Sequence, residues 1–160
     1  MGSKRITIST AGVISRIEEF TKSKEKFKLA ISLNGTTNEQ RTSIMPINIK
    51  NSLDELLNVA RKYTETVNRW LTFEYVLLEE INDSVEDAKR LLSMLAGMKK
   101  CKLNIIPYNE TDGEFRRPDK DQIENFVIAL RPAKFPITVR WSKGTDIDAG
   151  CGQLATRNQV

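Results

Sequence analysis

Cys151 stands between two glycines within Asp146–Leu154 (DIDAGCGQL), a polar stretch with nothing to bury a sulfur. A thiol left approachable in this way can act as a nucleophile where its surroundings favour the thiolate. Taken alone, an incidental tail cysteine is the simpler reading. Cys101 follows Lys99 and Lys100 and opens an apolar run, so it reads as a structural, partly buried thiol. Two cysteines are too few for a four-ligand metal site or a disulfide framework. The chain has no histidine. That excludes Ser-His-Asp and Cys-His catalysis, a histidine zinc site and imidazole acid–base work.

The carboxylate pairs Glu79-Glu80 and Asp146/Asp148 sit among polar residues and read as turn or surface charge. Glu74 is different, because it lies inside an apolar strand where an unpaired carboxylate is costly. It is expected to face the rim or interior of a barrel with a polar partner, in an ion pair rather than as a catalytic acid. Gly150–Ala155 (GCGQLA) matches a dinucleotide-binding glycine pattern. The polar DIDA before it and the five residues after it offer neither the strand nor the helix that pattern needs.

The elements that would position these groups alternate between short β-branched or apolar runs and amphipathic helices. Strands are expected over Arg5–Thr10, Phe27–Leu33, Leu71–Leu78, Lys102–Pro107 and Ile137–Trp141. Helical spacing follows the first strand at Val13, Ile14, Ile17 and Phe20. Ser52 with Glu55 and Ser84 with Asp87 read as N-terminal caps of two further helices. Asp119 opens a fourth helix, which Pro132 stops. Lys22–Lys28 and Asn109–Asp121 read as surface loops. Such a run of βα units predicts an α/β fold with a parallel sheet, whose chemistry gathers at the carboxyl ends of the strands. Those ends are polar here: Ser9-Thr10, Ser32 to Gly35, Glu79 to Asp83, and Tyr108-Asn109. By pattern alone, turns and helix caps account for them.

At 160 residues, 39% apolar and 29% charged, with a net charge of +4, the chain suits one mildly basic globular domain. The charge permits a nucleic-acid partner without requiring one. No run reaches the ~18 apolar residues of a membrane span, and MGSKRITIST lacks a signal-peptide core. A cytoplasmic protein with reduced thiols and no membrane partner is the expectation.

Taken together, Ile8–Gly12 (ISTAG), Ala30–Asn34 (AISLN), Ile44–Asn48 (IMPIN), Phe73–Leu78 (FEYVLL), Ile81–Asp83 (IND), Asn104–Asn109 (NIIPYN) and Asp146–Leu154 resemble, in order and spacing, the RlmN/Cfr family of radical-SAM adenine methyltransferases. The resemblance covers essentially the whole chain. It implies the C-terminal part of a partial (β/α)6 barrel, about four βα units plus an extension strand over residues 1–142. A tail over 143–160 would then carry the methyl-acceptor cysteine. It assigns that methyl-carrying role to Cys151 and S-adenosyl-L-methionine contacts to Ser9, Ser32, Leu33, Asn34 and Asn109, with Asn34 standing where the family has histidine. It implies methyl transfer to carbon 2 of an adenine in ribosomal and transfer RNA through the methylated cysteine. The 4Fe-4S cluster of the intact family has no ligands in this chain. The partners implied are the two RNAs and the cluster-binding N-terminal half, without which the chain is expected to be inactive. Self-association through the open barrel edge is a further expectation. Arg116, Arg117, Arg140 and Lys143 are candidates for RNA phosphates. The alternative is a non-catalytic RNA-binding or partner-binding remnant.

Overall fold

Leu71–Leu77 alternates between fully buried and half-buried positions along its length. That period of two is the mark of a strand with one face packed and the other open. The same face of the neighbouring strands is built from Leu29, Ile31, Leu103, Ile105, Ile137 and Val139, all buried. The computed structural model describes residues 6–23, 25–111 and 113–141. Cys151, Lys143 and the rest of the expected tail lie outside the described residues.

The strands are β1 (Thr7–Thr10), β2 (Lys28–Ser32), β3 (Leu71–Leu77), β4 (Cys101–Pro107) and β5 (Ile137–Val139). They form one parallel sheet in the order β1-β2-β3-β4-β5. The order never reverses, so each crossover of the same hand lays its helix on the same face. A doubly wound sheet would reverse and cover both faces. This sheet is therefore an arc of a barrel, with a helix-covered convex face and a concave one on which no helix packs among the described residues.

The helices are α1 (Ile14–Lys22), α2 (Asn38–Ile44), α3 (Leu53–Val67), α4 (Val85–Leu95) and α5 (Lys120–Ala129). Their apolar stripes close the convex core. Phe20 of α1 stacks on Tyr63 of α3 at 6.1 Å, and Tyr75 of β3 on Phe126 of α5 at 5.8 Å. Ser52 and Ser84 make the capping boxes their spacing predicts, and the Asp119 side chain accepts from the Gln122 amide. Each such cap contributes about 1 kcal/mol. α2 was not foreseen. Its sequence, NEQRTSI, has no apolar period, and it is held by its Thr37 cap and by polar bonds into the sheet rather than by an apolar stripe. A 3-10 turn over Pro46–Ile49 follows it.

Candidate functional site

The concave face presents the strands' second set of side chains. The register pairs Ser32 with Glu74, Glu74 with Asn104, and Asn104 with Thr138. Register partners in a parallel sheet point the same way on strands about 4.8 Å apart. These side chains therefore form a polar row across β2 to β5. Ser9, paired with Ala30, stands on the same face one step nearer the amino ends. Glu74 faces the barrel interior as expected, but the ion pair anticipated for it is not found. Its carboxylate has no hydrogen-bonded or charged partner among the described residues. Being only half-buried, it does not require one.

Leu33 and Asn34 differ from the two serines. The Leu33 side chain is wholly buried on the convex side. Its amide donates to the Glu74 carbonyl at 2.8 Å, and its carbonyl accepts from Arg41 Nε at 3.0 Å. Asn34 adopts a left-handed conformation, φ 55°, which asparagine tolerates better than most residues. Its Oδ1 accepts from the Val76 amide at 2.9 Å, and its Nδ2 lies 3.4 Å from Met45 Sδ. The structure thus gives Asn34 the work of splicing the end of β2 onto β3. Asn109 is exposed just beyond β4.

Two residues organise this rim, Arg41, which pattern reading passed over, and Asn82, which it took for a turn residue. Arg41, on α2, is 0% exposed. Its guanidinium donates to the carbonyls of Ala11, Ser32 and Leu33 and to Asn48 Oδ1, at 2.6–3.2 Å. It therefore clamps the ends of β1 and β2, the two strands that carry Ser9 and Ser32. Burial lowers its pKa, yet a guanidinium stays charged at ordinary pH. Two glycines make room for it. A Cβ on Gly35 would meet the Arg41 backbone at 2.9 Å, and one on Gly12, at φ +103°, would meet Arg41 Nη2 at 2.8 Å. Asn82, also 0% exposed, accepts from the Leu78 amide and donates to the carbonyls of Val76 and Asn34, at 2.8–2.9 Å. Tyr75 OH closes the loop onto the Asn82 carbonyl at 2.8 Å. The residue motifs contained Gly12, Asn48 and Asn82 but did not say what they hold.

Asp87 is a second polar node. Beyond capping α4, its Oδ1 accepts from Thr36, Gln40 and Arg90 at 2.6–2.7 Å, tying α2 to α4. Desolvation pushes its pKa up, but the bonds from Thr36, Ser84, Gln40 and Arg90 together outweigh that, and the net shift is downward. A carboxylate with a lower pKa folded than unfolded contributes stability that is complete above its unfolded value, about 3.9. That contribution is lost as pH falls through the folded value. Asp83 opposes it: desolvation raises its pKa, so its contribution runs the other way. Comparison of Asp87→Asn with the native chain in urea melts isolates the Asp87 part. The variant is expected to lose less stability on going from about pH 5 to about pH 2. Equal slopes would show that the node carries no linked proton.

Cys101 is buried, and desolvation raises its thiol to about 11, so it is not a thiolate at neutral pH. Arg117 lies 5.4 Å from the centre of the Trp141 ring, and Arg116 and Arg140 are exposed. No three His, Cys, Asp or Glu side chains converge as metal ligands among the described residues. No described helix is long and apolar enough to cross a membrane.

No family model matches the chain. Over 158 residues, 99% of its length, it is 42% identical to a protein of Pseudothermotoga lettingae named probable dual-specificity RNA methyltransferase RlmN, and covers 46% of it. A protein of the same name from Leptospira biflexa is 40% identical over 158 residues, with 45% of that protein covered. The crystal structure of a radical SAM methyltransferase from Sphaerobacter thermophilus superposes with a TM-score of 0.85 at 39% identity, over 96% of this chain and 45% of that one. The chain spans under half the length of the relatives it matches.

Proposed function

We propose that this chain, a relative of the RlmN RNA methyltransferases along 99% of its length, supplies the cofactor-facing barrel arc and the methyl-carrying cysteine of such an enzyme. What supports this most is the concave face, where Ser9 and Ser32 stand beside Glu74 and Asn104 at the carboxyl side of a helix-backed arc. S-adenosyl-L-methionine fits there, since this polar face carries hydroxyl, amide and carboxylate groups suited to a zwitterionic nucleoside. Bound, it supplies the methyl group. In this reading Ser9 and Ser32 hold it by side chain, and Asn109 reaches it from the β4 rim. Leu33 and Asn34 contribute through the backbone geometry they set. Cys151, on the tail of residues 143–160, would carry the methyl carbon destined for carbon 2 of an adenine in ribosomal or transfer RNA, and the cofactors of the complete enzyme would supply the activation for its transfer.

A 4Fe-4S cluster does not fit this chain. The sequence has two cysteines in all, one of them the buried Cys101. Cluster chemistry is therefore assigned to a complementary upstream half, and the chain alone is inactive. That half would also cover the β1 edge, where Ile6 and Ile8 are 42% and 38% exposed. An apolar open edge otherwise invites self-association. The compartment that suits these partners is the cytoplasm.

The experiment is co-production with the complementary upstream half of a relative, anaerobically and with iron. The two pieces should co-purify, and the Cys151 peptide should be heavier by one methyl group, a gain abolished in Cys151→Ala. An unmodified Cys151 with the cluster shown to be present would reject the methyl-carrying role. It would leave the alternative, a non-catalytic RNA-binding or partner-binding module.

A further inference from the structure

The amino ends of β2 and β3 hold a second feature, which the methyl chemistry does not use. A cleft of about 280 Å³ is lined by Lys26, Phe27, Lys28, Asn68, Arg69 and Trp70. It opens at the opposite end of β2 from Ser32, roughly 13 Å away along the strand. Trp70 is 45% exposed, an unusual position for so large an apolar ring. Lys102 Nζ sits 5.1 Å from its ring centre.

The charge around this cleft is one-sided. Across residues 25–28, 68–70 and 100–102 there are five cations and a single carboxylate, Glu25. None of the five makes an ion pair among the described residues. Arg69 Nη1 and Lys100 Nζ donate instead to the backbone carbonyls of Glu25 and Asn68, at 2.8 and 3.4 Å. Those bonds fix the cations without neutralising them. Unneutralised cations gathered round a half-exposed indole are complementary to a ligand that carries both a π-face and negative charge. A nucleotide unit has both: a base to stack on the ring and a phosphate for the lysines. Stacking is indifferent to base identity, and a backbone-tracking cluster favours a strand whose bases are already free. A duplex would have to give up its own stacking to use the ring.

We propose that this cleft is a binding site for single-stranded RNA, with one base stacked on Trp70 and the adjoining phosphates held by Lys26, Lys28 and Arg69. It lies at the other end of β2 from Ser32 and apart from Ser9, so it stands whether or not the chain carries a methyl group. It would grip a flanking single-stranded segment of an RNA rather than the reacting base.

Trp70 is its own reporter. In a Trp141→Phe background of the full chain, a hexa-adenylate RNA is expected to quench the remaining tryptophan. The apparent affinity should fall more than about tenfold between roughly 50 and 200 mM salt, as three phosphate contacts require. Inorganic phosphate should neither quench nor compete at comparable concentration. Lys26→Glu/Lys28→Glu, exposed positions where the fold should be unaffected, should weaken binding at least about tenfold with an unchanged thermal melt. Absence of quenching at millimolar RNA would overturn the proposal. So would equal competition by inorganic phosphate, which would make this a simple anion site, or binding that survives the double charge reversal.

Discussion

Arg41→Met is expected to lower folding stability by about 3 kcal/mol, read as a shift in the urea midpoint at unchanged slope. The guanidinium donates to the carbonyls of Ala11, Ser32 and Leu33 and to Asn48 Oδ1. Each buried acceptor left without a partner costs about 1–3 kcal/mol. The sum is reduced because a charged group no longer has to be desolvated, itself a cost of several kcal/mol. Arg41→Lys should recover little of the loss. An ammonium keeps the charge but has no planar fork to reach carbonyls on two strands at once. A loss below about 1 kcal/mol for Arg41→Met would mean that the clamp is incidental to the rim.

Asn82→Ala should cost a similar amount, about 3 kcal/mol, because it orphans the Leu78 amide and weakens the hold on the carbonyls of Val76 and Asn34. Asn82→Asp is the sharper comparison. A carboxylate can still accept from Leu78, but it cannot donate to either carbonyl and would place its charge against them in a buried site. It is expected to be at least as destabilising as alanine. Hydrogen exchange should show the Leu78 amide losing protection in Asn82→Ala and keeping part of it in Asn82→Asp. An aspartate as stable as native would refute the donor role and reduce Asn82 to a space-filling residue.

The two nodes explain why the rim was only half legible in the sequence. Ser9 and Ser32 were named on the family resemblance, and the pattern supplied only that both stand toward the carboxyl ends of strongly patterned runs. Arg41 could not be found, because polarity patterns assign charged side chains to solvent, and α2 has no apolar stripe to betray that one of its faces is covered. The available signal was indirect: Gly12 and Gly35, each following a strand, spare the space taken by the Arg41 guanidinium and by the Arg41 backbone respectively. Asn82 and Asp87 were visible as a turn residue and a helix cap. Their longer-range bonds, to Asn34 and to Thr36 and Gln40, join positions some fifty residues apart, and local pattern carries no such information.

By itself, the sequence determined the alternation of strands and helices, because hydrophobic period and cap chemistry act within a few residues. The same local chemistry set the caps of α3, α4 and α5 and ruled out histidine-based catalysis. The tertiary structure alone decided that the strands run in order without reversal, leaving one face without a packed helix among the described residues. It decided too that Glu74 looks across that face without a partner among the described residues, and that a buried arginine holds two strand ends together. Which face a helix covers, and which carbonyls a guanidinium can reach, depend on crossovers and packing between segments far apart in the chain, where no local period can reach.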